Sequence, residues 1–234
     1  MGRFLLPVLL FLSCFSVAQE GWVASVYFGT AHSGNSDLTL DQPSLGTRLR
    51  FSNVAFESQS FTSPLYYGGY LGRFFGAHFG VEVEFTHLKA FAKVAQPVSI
   101  AGTLNGAVLN ATEPMNTIVQ HFAISHGVNL LTANAVWRQP LLRNSRLNVY
   151  GKFGVGTTIP HAESVVQLQS NEHYQVGSPV IQIAIGAETR VWHRVFWMAE
   201  YKFTHTAETV GVYSGTISTT LNTNHIATGP AFHF

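Results

Sequence analysis

Apolar and polar residues alternate along most of the chain, and this pattern predicts β-strands. The segment 78–89 alternates most strictly, setting Val81, Val83 and Phe85 against Glu82, Glu84 and Thr86. A period of two residues indicates a strand whose two faces meet different surroundings. Because one face is wholly apolar and the other acidic, we interpret the apolar face as lipid-exposed and the acidic face as the lining of a small barrel.

The same period predicts eight strands, at residues 22–30, 65–75, 78–89, 119–138, 147–159, 180–190, 196–204 and in a last strand ending at Phe234. Long polar segments alternate with short turns between them; the long segments are 31–63, 96–118, 170–175 and 207–220. Outer-membrane barrels have this arrangement of long external loops and short periplasmic turns. The predicted fold is all-β: an eight-stranded antiparallel up-and-down transmembrane β-barrel with long external loops, in the cell outer membrane.

The turn between the second and third strands predicts their register. Gly76 and Ala77 are typical of a two-residue type II′ turn, which sets Arg73 on the acidic face beside Glu82. The same register puts Tyr66, Tyr70 and Phe74 on the apolar face. The predicted interior then holds four acids and four bases: Arg73, Glu82, Glu84, Lys152, Glu188, Arg190, Glu200 and Lys202. An eight-stranded barrel is just wide enough for side chains to fill, so we expect a plug of ion pairs.

Residues 1–18 are typical of a signal peptide, with Arg3 before a short apolar run and small residues at the predicted cleavage site. The mature barrel is therefore predicted to span residues 19–234. A terminal aromatic, Phe234, on an alternating strand resembles the insertion signal that barrel-insertion machinery binds. The formal net charge of +1 gives no basic field for nucleic acid. Gly151, Gly154 and Gly156 precede no helical pattern, which favours tight packing inside a narrow barrel over a nucleotide loop.

Polar side chains from four consecutive strands are predicted to reach one rim of the barrel. A strand crosses the bilayer in about 9–11 residues, and counting outward from the short turns gives this rim. Alternation places His87 and Lys89 on its lipid side, where snorkelling and an aromatic girdle are the ordinary interpretations. The alternative is a site, with roles catalytic for Glu84, His87, His126 and Asn129, substrate-binding for Tyr66, Tyr67 and Lys89, and metal-binding for His161 and Glu163.

Two features of this rim suggest its chemistry. His161 and Glu163 share one face of an extended segment and, together with His126, have the side chains to bind a divalent metal ion or to move protons. Lys89 is predicted to hold a phosphate as a point charge. The spacing of these residues is not specific for any one metal.

Five segments carry a resemblance to a known family: 64–68, 80–89, 126–131, 154–163 and 199–203. They resemble the lipid A oxidases and their uncharacterised barrel relatives, over nearly the whole mature chain. The resemblance implies an outer-membrane barrel. In characterised members it also implies oxygen-dependent oxidation of the proximal glucosamine of lipid A to an aminogluconate unit. We therefore expect the partner to be lipid A or lipopolysaccharide in the outer leaflet.

Two alternatives stay open at this point. A non-enzymatic structural or adhesive barrel would use its long loops as a binding surface and would leave lipid A unchanged. A lipid A deacylase is less favoured because its His-x-Ser nucleophile pattern is absent from the sequence.

Overall fold

The computed structural model describes residues 21–141 and 146–234, so the predicted signal peptide lies outside the described residues. Within these ranges, two short 3₁₀ helices, Pro43–Leu45 and Met115–Thr117, accompany the strands. The strands are β1 (Gly21–Ser33), β2 (Ser36–Gln42), β3 (Thr47–Val54), β4 (Phe56–Glu57), β5 (Tyr67–Phe74), β6 (Phe79–His87), β7 (Ala90–Ala92), β8 (Pro97–Leu104), β9 (Ala107–Pro114), β10 (Val119–Ile124), β11 (Leu130–Pro140), β12 (Leu147–Thr158), β13 (His161–Val166), β14 (Gln169–Tyr174), β15 (Pro179–Trp192), β16 (Val195–Val212) and β17 (Gly215–His233). No helix in the described part of the chain is long and apolar enough to cross a membrane.

Eight of these strands close into an antiparallel barrel. Their order is β1-β5-β6-β11-β12-β15-β16-β17, and β17 pairs back with β1 along most of both strands. Closure pairs each wall strand with a neighbour on either side, so the wall has no open edge. The structure thus confirms the predicted eight-stranded barrel.

The two faces of the wall separate apolar from charged side chains as predicted. Val83 and Tyr201 are 56% and 47% exposed, whereas Glu84 and Lys202 are buried. A belt of exposed apolar residues surrounds the barrel, including Val26, Phe28, Leu71, Val81, Phe153, Val155, Ile181, Ile183, Ile185 and Ile226. Such a belt matches the hydrocarbon band that encircles transmembrane barrels.

Ion pairs and hydrogen bonds fill the barrel interior. Lys152 Nζ lies 2.8 Å from carboxylate oxygens of both Glu82 and Glu200. Lys202 Nζ contacts the Glu84 carboxylate and lies 3.5 Å from Glu200. Glu84 accepts further hydrogen bonds from three donors, Tyr27, Asn134 and Gln182. Because these interior charges have partners of opposite sign, the interior is the predicted plug of ion pairs.

The β5–β6 hairpin differs from the prediction by one residue. Phe74 pairs with Gly80, and a longer turn replaces the predicted two-residue turn. A slip of one residue exchanges the two faces of a strand. The predicted Arg73–Glu82 pair is therefore wrong, since Arg73 is exposed. Three residues predicted on the apolar face, Tyr66, Tyr70 and Phe74, are buried instead.

The limited space inside the barrel explains why β5 pairs with β6 in the observed register. The inward positions of β5 include Gly68 and Gly72, opposite Thr86 and Glu82. A methyl group at Gly68 would overlap the Tyr27 ring, and one at Gly72 would come within 2.9 Å of Glu82 Cβ. The alternative register would point larger side chains, including Arg73, into this space.

Arg138, which the prediction left out, supplies an interior cation. It is 3% exposed, and its guanidinium lies 3.9 Å from the Glu188 carboxylate and 3.7 Å from the centre of the Phe74 ring. Arg190, which was predicted inside, is partly buried and lies 5.2 Å from the Phe196 ring.

The segments predicted as long loops fold into two sheets at one end of the barrel. The β16–β17 hairpin extends past the wall, so most of the predicted loop 207–220 is strand, and β17 continues the first sheet through β2, β3, β8 and β9. The second sheet has the order β14-β13-β10-β7-β4. Buried apolar residues give this outer region its own core, among them Leu38, Leu40, Leu49, Phe51, Met115 and Val119.

The predicted strand 119–138 is two strands in two different sheets. β10 belongs to the second sheet and β11 to the barrel wall. Between them Gly127 and Asn129 have φ angles of 111° and 50°, which are left-handed conformations that interrupt an extended chain. A Cβ at Gly127 would come within 2.5 Å of the His87 ring, so the break also brings the backbone close to that side chain.

Candidate functional site

Two histidines and two glutamates meet on the outer face of the second sheet. His126 follows β10, His161 and Glu163 lie on β13, and Glu172 lies on β14. One nitrogen or carboxylate oxygen from each lies within 4.8 Å of the others. His126 Nδ1 is 2.9 Å from Glu163 Oε1, and His161 Nε2 is 3.3 Å from Glu172 Oε1. Imidazole and carboxylate ligands together suit a divalent transition metal.

Strand pairing brings the two carboxylates together. Glu163 lies directly opposite Glu172 on the neighbouring strand, an arrangement that is destabilising for like charges. Positive charge between them, from an imidazolium or a metal ion, would remove that repulsion. His161 is 6% exposed, and its Nδ1 has no hydrogen-bond partner among the described residues. Leaving a buried nitrogen unpaired costs about 1–3 kcal/mol, so the residues present fit a bound cation.

Neighbouring donors keep Glu163 ionised. Ser125 Oγ donates a hydrogen bond to Glu163 Oε1, and the His126 imidazole bonds to the same oxygen. Partial burial opposes ionisation, but these hydrogen bonds and the nearby imidazoles lower the pKa of Glu163 below its ordinary value. The carboxylate form, which is the form that binds metal ions, is therefore favoured at neutral pH.

The cluster lies just beyond the outer end of the apolar belt. Ile159 is 38% exposed at the outer end of the apolar belt, and His161 and Glu163 follow it at intervals of two residues. At roughly 3.3 Å per residue, Glu163 lies within about 13 Å of Ile159. The side chains of His126 and Glu172 are 54% and 62% exposed. The site thus opens on the exposed face of the second sheet, whereas Ala162, Ser164 and Val166 form the buried face of β13.

A second group of predicted site residues adjoins the cluster. The His87 ring stacks on Tyr67 with centroids 4.9 Å apart, and His87 Nδ1 lies 2.8 Å from Asn129 Oδ1. The Asn129 amide donates to the backbone carbonyls of Ile159 at 3.0 Å and Gly127 at 3.3 Å. Asn129 therefore ties His87 to the loop that carries His126. The loop also covers His87, which is 4% exposed although it lies on the outward side of the strand.

Three other predicted site residues lie apart from this group. Glu84 belongs to the interior ion network and is 1% exposed. Tyr66 is also inside, where its hydroxyl lies 3.1 Å from His225 Nδ1. Lys89, predicted on the lipid side, is 3% exposed, and its ammonium donates to the Thr62 carbonyl at 2.8 Å. The direction predicted for Lys89 is wrong because β6 ends at His87, so strand alternation does not extend to it.

Glu172 and Ser125 were missed by the sequence analysis. Glu172 is reached through a tight β13–β14 hairpin whose turn residues, Gln167 and Leu168, have φ angles of 50° and 65°. Turns with two positive φ angles usually contain Asn or Gly, so no turn signal marks this hairpin in the sequence. Only this hairpin places Glu172 opposite Glu163.

Comparison with known proteins agrees with the barrel. The family model described as "Outer membrane protein beta-barrel domain" matches residues 7–234. No curated protein sequence matches the chain. Among solved structures, OprG from Pseudomonas aeruginosa is 10% identical, with a TM-score of 0.46 and coverage of 94% of this chain and 97% of that one. AlkL in DMPC bilayers is 13% identical, with a TM-score of 0.44 and coverage of 100% and 97%.

A third similar structure, Neisserial surface protein A, is 11% identical, with a TM-score of 0.42 and coverage of 92% of this chain and 97% of that one. The family match extends over almost all of the sequence. The chain is an outer-membrane protein and belongs to the outer membrane protein β-barrel domain family.

Proposed function

We propose that this barrel is a metal-dependent enzyme that oxidises lipid A in the outer leaflet. The observation that supports the proposal is the cluster of His126, His161, Glu163 and Glu172 on the exposed face of the second sheet, just beyond the apolar belt. A membrane glycolipid presents its sugars at that depth and reaches the site by diffusing sideways. The resemblance to the lipid A oxidases supplies the reaction class.

The reaction has a simple balance. The lactol at C1 of the proximal glucosamine loses two electrons and two protons and becomes a lactone. Dioxygen accepts these two electrons and two protons and becomes hydrogen peroxide. Water then opens the lactone to the aminogluconate, so the lipid gains one oxygen atom overall. The substrate must therefore carry a free C1 hydroxyl group.

The side chains of the cluster suit this chemistry. His161, Glu163 and Glu172 are the proposed metal ligands, and a bound divalent ion would supply Lewis-acid or redox chemistry at the sugar carbon. Of the two histidines in the cluster, His126 is the more exposed, and its Nδ1 lies 2.9 Å from Glu163 Oε1. Its Nε2 is then available to accept the proton that leaves the C1 hydroxyl. Asn129 acts as a positioning residue, because it ties the His126 loop to His87.

The test is the mass of lipid A in cells that lack the gene and are complemented with different variants. We expect wild type to restore a lipid A species that is heavier by one oxygen atom, and His161→Ala and Glu163→Ala to fail to do so. His32→Ala is the matched control, since this exposed histidine lies on β1, away from the cluster.

Two outcomes contradict the proposal. Lipid A that is the same with and without the gene under aerobic growth would favour the structural or adhesive barrel. Rim variants that fold, as shown by heat-modifiable gel mobility, and still restore the heavier lipid A would refute the site.

A further inference from the structure

The end of the barrel opposite the cluster is rich in tryptophan and arginine. The short turns between the wall strands lie at this end, where β1 begins and β17 ends. Because outer-membrane barrels have their short turns in the periplasm, this end faces the periplasm. All four tryptophans of the chain lie here and are between 44% and 68% exposed: Trp22, Trp137, Trp192 and Trp197. Tryptophan concentrates at the membrane–water interface. The guanidinium groups at this end therefore lie close to the headgroups of the periplasmic leaflet.

Three of these arginines share one open groove. Arg146, Arg190 and Arg194 line it together with Trp192 and His193. Arg146 and Arg194 are exposed, and the buried Nε of Arg190 has no hydrogen-bond partner among the described residues. None of the ion pairs within the described part of the chain involves these three arginines.

Glu188 is the acidic side chain nearest to this end, and it does not neutralise the groove. Glu188 is 4% exposed and points into the barrel, where it lies 3.0 Å from His233 and accepts a hydrogen bond from Asn148 at 2.8 Å. It also lies 3.9 Å from Arg138. The positive charge of the groove is therefore available to an external anion.

A β-bulge places apolar surface beside the arginines. The pairing of β15 with β16 shifts register between Arg190 and Trp192, and bulges of this kind re-aim side chains. As a result Val191 and Trp192, although adjacent in sequence, are both exposed, at 57% and 68%. Trp192 lines the groove and Val191 lies beside it, so exposed apolar surface adjoins the guanidinium groups.

We infer that this groove binds the headgroup phosphate of an anionic phospholipid in the periplasmic leaflet. A guanidinium group binds a phosphate through two parallel N–H···O hydrogen bonds. Val191 and Trp192 supply a surface for the glycerol backbone and the first acyl carbons. A free phosphate ion would use only the arginines, whereas the lipid uses both parts of the groove.

The test uses the purified, folded full-length protein in micelles of a neutral detergent. Phosphatidylglycerol or phosphatidylcholine is added, and the lipids retained by the protein are counted by native mass spectrometry. We expect phosphatidylglycerol to be retained in preference. Arg146→Gln and Arg194→Gln should each weaken its binding about fivefold, because a basic side chain at a lipid surface contributes about 1 kcal/mol.

Arg73→Gln is the matched control. Arg73 is exposed at the same end of the barrel, but its strand, β5, lies four strands away from β15 around the wall. We expect this variant to retain phosphatidylglycerol as wild type does. Equal losses in all three variants would show a diffuse charge effect and overturn the inference. So would equal retention of the two lipids, or displacement of phosphatidylglycerol by soluble glycerophosphate at the same concentration.

Discussion

Replacing Lys152 by methionine tests the interior network and the register of the wall together. Lys152 Nζ lies 2.8 Å from Glu82 and from Glu200, and all three side chains are at least 96% buried. In the variant, Glu200 keeps Lys202 at 3.5 Å, whereas Glu82 keeps only the neutral amide of Asn134 at 3.0 Å. The variant therefore leaves one buried carboxylate without a cation.

The expected loss in the free energy of unfolding is about 3 kcal/mol. Removing one partner of a buried ion pair costs about 3–5 kcal/mol, and the lower value applies because Asn134 still donates to Glu82. A loss of about 3 kcal/mol changes the unfolding equilibrium constant roughly 150-fold. Removing both charges, in Glu82→Gln/Lys152→Met, should recover about 1–3 kcal/mol as the coupling between the pair.

The assay is reversible urea unfolding in lipid vesicles, followed by tryptophan fluorescence and gel mobility. Arg73→Met is the control because Arg73 lies outside the barrel, 5.7 Å and 5.6 Å from the rings of Trp22 and Phe75. Loss of these exposed cation–π contacts should cost less than about 1 kcal/mol. Coupling of Glu82 to Arg73, or a Lys152→Met variant as stable as wild type, would refute the register described above.

Two further predictions concern packing and pH. Gly154→Ala should destabilise the barrel by about 1–3 kcal/mol in the same assay, because its methyl group would overlap Asn134, whereas Gly151→Ala has 3.9 Å of clearance and should cost less; equal losses would contradict tight packing at Gly154. The Asn53 backbone N–H and Arg50 lower the pKa of Asp37, so the stabilisation of the β2–β3 hairpin is complete above the ordinary carboxyl pKa of about 3.9. It should be lost as the pH falls through the lowered value. Amide exchange of Asn53 should show this loss in wild type, and Asp37→Asn should remove the pH dependence; a loss near neutral pH would contradict it.

The barrel could be predicted from local sequence because lipid and interior impose opposite chemistry on successive residues. Val83 and Glu84 are neighbours, and no soluble strand needs an acidic core face beside an apolar outer face. Most strands of the outer region were not predicted, because they are between two and eight residues long and lie in segments rich in polar residues.

What the sequence could not predict depended on contacts between distant residues. The register of β5 is set by the space that the Tyr27 ring from β1 needs beside Gly68, and Gly76-Ala77 alone indicated a different turn. In the candidate site, His161 and Glu163 could be paired from their spacing. Glu172 joins them only through a hairpin whose turn has no glycine or asparagine.

The measurement that tests the proposed activity most directly uses purified, folded protein in vesicles that contain lipid A with a free C1 hydroxyl. The protein is stripped of metal with a chelator and then supplied, in air, with divalent metal ions one at a time. We predict that one metal restores the gain of one oxygen atom in the lipid, with one hydrogen peroxide formed per lipid. His161→Ala and Glu172→Gln should stay inactive under the same conditions. Unchanged lipid A in the wild-type sample with every metal, while the barrel remains folded, would contradict the proposed oxidation.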